Sequence, residues 1–213
     1  MQGRIDLSPF PLQWGAGLAA AGIVAIVLAG GCSESDRNAS LRRRAEAGDP
    51  QAQFQLGEAL SVERPAEAAK WYRDAASRGH AGAQAALGDL LVEGRGVAAD
   101  PGAACHWYEQ AAANGEDRAI NNLAWLLATA PDPEVADAPR AVALMEAYLR
   151  RSTAPEPFEW DTLAAAYARA GRFDEAVRVQ RDAIEQADPP QQDPEGYRER
   201  LRSYLENEAW IVP

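Results

Sequence analysis

Two cysteines and two histidines among 213 residues leave little material for disulfide, thiol or metal chemistry. Cys32 and Cys105 lie far apart in dissimilar surroundings, so they define no disulfide framework. His80 and His106 are 26 residues apart, with no cluster of ligand residues near either, which argues for structural roles. Basic charge is also scarce: 21 Lys and Arg stand against 32 Asp and Glu, a net charge of −11. A nucleic-acid binder needs a basic face to neutralise phosphates, so that class is excluded as a partner. Nor is there a polybasic segment for anionic lipid heads. The chain has no Gly-rich phosphate loop, no G-x-S-x-G and no H-E-x-x-H. No cofactor, no metal site and no small-molecule substrate are therefore expected.

What the chain does have begins with a segment of different material. Charge is absent from Leu7 to Ser33, and the 18 residues from Trp14 to Gly31 are apolar throughout. The run stops at Cys32, and "SESDRNAS" after it is polar. A short apolar core closed by small residues describes a secretory signal. "LAGGC" resembles the lipobox of bacterial lipoproteins, which implies cleavage after Gly31 and a lipid on Cys32. The length also suits an uncleaved anchor helix, since about 20 apolar residues span a bilayer. Either reading expects a membrane-anchored protein of the cell envelope, with the folded part facing the periplasm or exterior. Residues 1–31 are thus the signal or anchor and 32–40 a polar linker.

The remainder repeats itself. "KWYRDAASRGHAGAQAALG" (Lys70 to Gly88) nearly returns as "HWYEQAAANGEDRAINNLA" (His106 to Ala124). A copy nearer the N-terminus places Gly48, Ala52, Leu56 and Gly57 on the frame of Gly79, Ala83, Leu87 and Gly88. The third copy puts Gly115, Ala119, Leu123 and Ala124 there. The offsets are 31 and 36, and the difference sits in one loop, where "VEGRGVAADPGAACHWY" replaces a shorter stretch. Insertions confined to a loop are what stacked repeats tolerate. Each unit is expected to be two helices. Gly48, Gly79 and Gly115 fall where a left-handed C-terminal cap would sit. Asp49-Pro50, Asp100-Pro101 and Asp193-Pro194 put a capping carboxylate before a proline at the first helical position. Ala68, Tyr72, Ala75 and Ala76, and in the next unit Ala104, Tyr108, Ala111 and Ala112, form the packing face of the second helix.

This pattern resembles the Sel-like repeat, an α/α relative of the tetratricopeptide repeat, over Ala45 to about Leu127. The G-x-G-V-x-x-D loop and the Trp-Tyr pair carry the likeness. "WDTLAAAYARAGRFDEAVRVQRDAIEQADP" resembles a tetratricopeptide unit, through Trp160, Leu163, Ala164, Tyr167, Gly171, Ala176 and Ala183. A hybrid unit lies between them. The resemblance implies an all-α solenoid of about four helix pairs over residues 41–190. Leu41 to Ala47 would be a lone second helix capping its start. Residues 191–213 would supply a solvating capping helix and tail, with Tyr197, Leu201, Tyr204 and Leu205 inward and its acids and arginines outward.

Function is expected on the inner face. In both repeat families ligands lie along the groove of the first helices. Carried onto this chain, the positions are Gln51, Phe54 and Glu58, then Ala85 and Asp89, then Arg118, Asn121 and Trp125, then Phe158, Asp161 and Arg169. Arg118, Asn121 and Arg169 come without a lysine, so the cluster departs from the tetratricopeptide units that clamp a C-terminal carboxylate. A mixed apolar and acidic groove suits a peptide or protein partner with some basic character. The expected function is a non-enzymatic, membrane-tethered interaction scaffold. The rival is an envelope enzyme or enzyme regulator that uses Cys105 or the acidic groove.

Overall fold

Helix punctuation and alanine spacing together determine the architecture. The computed structural model describes residues 34–187 and 194–212. The lipobox cysteine Cys32, the whole apolar leader and the expected cap Asp193 lie outside the described residues. Among the described residues there are ten helices and no strand: α1 (Glu34–Glu46), α2 (Pro50–Leu60), α3 (Pro65–Ala76), α4 (Ala81–Glu93), α5 (Pro101–Ala113), α6 (Asp117–Thr129), α7 (Ala138–Arg151), α8 (Pro157–Arg169), α9 (Phe173–Gln186) and α10 (Pro194–Leu205). The repeats belong to one compact unit that begins at Asn38.

The helix ends form where local chemistry demands. Asp49 accepts from the backbone N–H of Gln51 and Ala52, Asp100 from Ala103, and Asp137 from Arg140. Each carboxylate satisfies donors that the first helical turn leaves unpaired. Gly48, Gly79 and Gly115 all have positive φ and close the preceding helices. One boundary differs from expectation, because α1 opens at Glu34 inside the stretch expected as a polar linker. Its sequence carries no glycine or proline, and Arg43 and Arg44 in its last turn complement the helix dipole.

Four pairs stack in order, α2/α3, α4/α5, α6/α7 and α8/α9, with α1 before them and α10 against α8 and α9. A side-chain clamp ties successive pairs together. Gln53 Nε2 donates to Ala45 O at 3.0 Å, and Gln84 Nε2 donates to Ala76 O at 3.1 Å. Both glutamines are buried, and each satisfies a carbonyl in the last turn of the helix before it. Since Ala45 takes the place that Ala76 takes one repeat later, α1 serves as the lone second helix that caps the start.

Within a pair, a ring of the second helix presses on a glycine of the first. A Cβ at Gly57 would stand 2.5 Å from Tyr72 Cε1, and one at Gly88 would stand 2.6 Å from Tyr108 Cε1. Both rings are buried, so only glycine permits this approach. In the third pair Ala124 and Met145 hold the equivalent positions, both fully buried. In the fourth, Gln180 replaces the ring and donates to Asp161 Oδ1 at 2.7 Å and to Tyr197 O at 3.2 Å. The long α4–α5 loop is likewise packed and not merely a spacer. A Cβ at Gly96 would stand 2.3 Å from the backbone of Pro65.

Candidate protein-interaction groove

Side chains link the first helices α2, α4, α6 and α8 in succession, along the face expected to carry the groove. At its start Gln51 is exposed, and its Oε1 lies 3.0 Å from His80 Nε2. His80 Nδ1 accepts the Ala83 N–H at 3.1 Å as the cap of α4. The proton therefore belongs on Nε2, which donates to Gln51. The half-buried Phe54 stacks on that imidazole at 4.6 Å between centroids. His80 thus caps one helix, pairs with a second and floors an aromatic patch.

One turn further on, charge gathers. Asp89 Oδ1 accepts from Tyr108 Oη at 2.8 Å and from Asn122 Nδ2 at 2.9 Å, and its other oxygen lies 4.0 Å from Arg118 Nη2. Burial holds its carboxyl above the ordinary value, against the opposing pull of Arg118 and the two donors. Glu58 is exposed, but desolvation raises its carboxyl too, partly offset by Arg118. Glu93 is raised by burial and paired with Arg95 at 2.7 Å. Burial, helped by Glu58, pushes the Tyr72 hydroxyl up to about 12. Three carboxylates thus share this region with two arginines, and the excess charge is negative.

The second half of the inner face is arranged differently from expectation. Asn121 and Asp161 are not exposed groove residues; their relative exposures are 2% and 1%. Asp161 Oδ1 accepts from Gln180 and, at 2.8 Å, from Arg200 Nε. Ala85, expected beside Asp89, is also fully buried. Arg169 spans to α6 and donates to Ala130 O at 3.2 Å, filling an acceptor beyond the helix end. Trp125 and Phe158 are half-buried. The Arg200 guanidinium lies 5.5 Å from the Trp125 ring centre, 5.2 Å from that of Tyr197 and 5.7 Å from that of Trp210.

This revises the expected face of α10. Tyr197 and Tyr204 do pack inward, but Leu205 is 54% exposed and Arg200 points inward. Positions 197, 200 and 204 share a helix face, and a buried carboxylate gives the arginine its reason to be there. Beyond α10 the chain turns back, and Val212 N–H donates to Thr129 O at 2.9 Å. Sequence pattern alone missed Arg200, Trp210, Asn122 and the two clamp glutamines. Only the glutamines left a signal there, since each follows the repeat alanine at Ala52 or Ala83.

The remaining candidates hold structural positions. Cys105 is free and half-buried, and burial and Glu109 push its thiol up, away from the nucleophilic thiolate. Trp71 and Trp107 are half-buried beside fully packed tyrosines, and Trp107 packs against the core. Glu109 pairs with Arg140 at 2.6 Å, and Glu175 with Arg172. Among the described residues no group of three or more His, Cys, Asp or Glu side chains could hold a metal ion. None of the described helices is long and apolar enough to cross a membrane.

Stacked helix pairs with a side-chain-rich inner face define an α/α repeat solenoid. The chain contains Sel1 repeats, matched at residues 50–80 and 81–116. A Sel1 repeat protein from Oxalobacter formigenes has the same fold, with a TM-score of 0.57 and 26% identity over 79% of this chain and 76% of that one. A protective antigen of uropathogenic Escherichia coli strains that displays an SLR fold is similar in fold, with a TM-score of 0.57 and 24% identity. That likeness covers 72% of this chain and 34% of the antigen. A stretch of 57 residues is 46% identical to "Chitin synthase regulatory factor 3" of Schizosaccharomyces pombe. It spans 27% of this chain and 6% of that relative. The Sel1 repeat fold suggests a scaffold for protein–protein interaction.

Proposed function

We propose that this protein is a membrane-tethered adaptor of the bacterial cell envelope, which holds a basic peptide segment of a protein partner in its inner groove. The observation that carries this reading is the open part of the inner face. There the apolar ring of Phe54 shares α2 with the exposed Glu58, and the three carboxylates Glu58, Asp89 and Glu93 outnumber the two arginines Arg95 and Arg118. An apolar anchor beside partly desolvated acids favours a segment that offers both an aliphatic side chain and a cation. Gln51, through His80, and Arg118, beside Asp89, border the same surface. The apolar run ending in "LAGGC" supports the tether: a lipid on Cys32 would anchor the chain, since burial of acyl chains contributes about 0.8 kcal/mol per CH₂ and two or more chains anchor stably.

Two variants test the two halves of this reading. Cys32→Ala should abolish lipid labelling and leave the precursor unprocessed or released. Unchanged mobility with retention in the membrane fraction would replace the lipid by an anchor helix. Glu58→Lys should weaken partner capture and its dependence on salt while circular dichroism stays constant. Capture that is indifferent to this reversal would remove the groove from the account.

A further inference from the structure

The inner face of the third and fourth pairs is already occupied, and by this chain itself. Asn207 adopts a positive φ of 60° after α10, which reverses the backbone. The residues after it are non-helical and lead back to α6, where Val212 N–H meets Thr129 O at 2.9 Å. On the way, Ala209 and Trp210 pack against the core, and the Trp210 ring faces the guanidinium of Arg200. Arg200 is fixed from beneath by Asp161 and flanked by Trp125 and Tyr197. A cation with aromatic rings about it is a recognisable receptor for one more ring, and Trp210 supplies that ring.

We propose that this face is a second peptide-binding site and that Glu208–Val212 is its built-in competitor. The site receives an extended segment that carries a large aromatic residue followed by β-branched ones, and the resident segment must leave before a partner enters. This goes beyond the basic segment assigned to the open half of the groove, since the two surfaces differ in charge and in their occupants.

Two observations favour exchange over permanent closure. First, the attachment is thin. Among the described residues one backbone hydrogen bond ties the segment to α6, Glu208 is exposed and Ile211 is 37% exposed. Segments held by so few backbone hydrogen bonds open at lower free energy than the helices they lie on. Second, α6 itself carries an unmet acceptor. Asn121 Oδ1, one turn before Trp125 on α6, is buried without a donor. A segment that brought a backbone or side-chain N–H to it would gain a bond that the resident one does not make. A tethered segment at about millimolar effective concentration competes about tenfold against a free one of about 0.1 mM affinity.

The test uses a fluorescent peptide of residues 206–213, titrated by anisotropy. Partners in the titration are the full chain, a chain ended after Glu206, and that shortened chain with Trp125→Ala. The shortened chain should bind the peptide about tenfold more tightly than the full chain, and Trp125→Ala should remove that gain. Equal binding by the full and shortened chains, with the helical signal intact, would overturn the proposal. Should the shortened chain lose its fold, full-length Trp210→Ala serves instead. It should gain peptide affinity over the wild type, and no gain would overturn the proposal equally.

Discussion

Arg200 Nε donates to Asp161 Oδ1 at 2.8 Å, joining the helix after the fourth pair to the inner face of α8. The carboxylate side chain is 1% exposed and the guanidinium side chain 13%. Breaking such a pair from one side leaves a buried charge without its partner, which costs about 3–5 kcal/mol. Arg200→Ala should therefore destabilise by about 3 kcal/mol in chemical denaturation, near the lower bound because Gln180 still donates to Asp161. The double variant Arg200→Met with Asp161→Asn should recover much of the loss. Failure of the double variant to recover would place the energy in packing rather than charge.

The contact of Tyr108 on Gly88 makes a second, opposite kind of prediction. Replacing a helix-interior glycine by alanine ordinarily stabilises by about 1 kcal/mol. Here the added Cβ would stand 2.6 Å from a ring whose hydroxyl is held by Asp89, so the ring cannot yield. Gly88→Ala should instead destabilise by about 1–3 kcal/mol. The third pair carries its own solution in Ala124 with Met145. Gly88→Ala with Tyr108→Met should restore part of the stability, measured as the shift in melting temperature.

The acids of the groove predict an unusual pH response. Burial raises Glu58, Asp89 and Glu93 above their ordinary carboxyl values, so the folded state holds these protons more tightly than the unfolded chain. Their stabilising contribution is full below the ordinary values of 3.8 and 4.5 and is lost as pH rises through the raised folded values. Asp49 and Glu175 run the other way, with lowered values whose contribution is lost only at lower pH. Acidification from neutral to about pH 5 should therefore raise the melting temperature slightly. Asp89→Asn should flatten that rise. A fall in melting temperature over this window would contradict the reading of Asp89 as a desolvated carboxylate.

The range of each interaction decides how much of the structure was legible in the sequence. Helix ends were legible because Asp49, Asp100 and the glycines Gly48, Gly79 and Gly115 act within a few residues of themselves. The repeat frame was legible because Tyr72 and Tyr108 recur with their glycines. The groove was only half legible. Gln51, Phe54, Glu58 and Arg118 keep accessible surface, but Asn121 and Asp161 share their register and are buried. What decides between the two outcomes at Asp161 is Arg200, 39 residues away on a helix whose position no local pattern encodes. The amphipathic reading of α10 missed it, because an inward arginine looks like a solvent residue until its carboxylate is found.

Partners held on the inner face of the first pairs are the central claim. Site-specific photo-crosslinking in the membrane-bound protein tests it most directly, with the crosslinker at Phe54 or Arg118 on the inner face and at the exposed Arg73 of α3 as the outer reference. A discrete protein adduct is predicted from the two inner positions, lost with Glu58→Lys, and none from position 73. Adducts from position 73 alone, unaffected by Glu58→Lys, would contradict it.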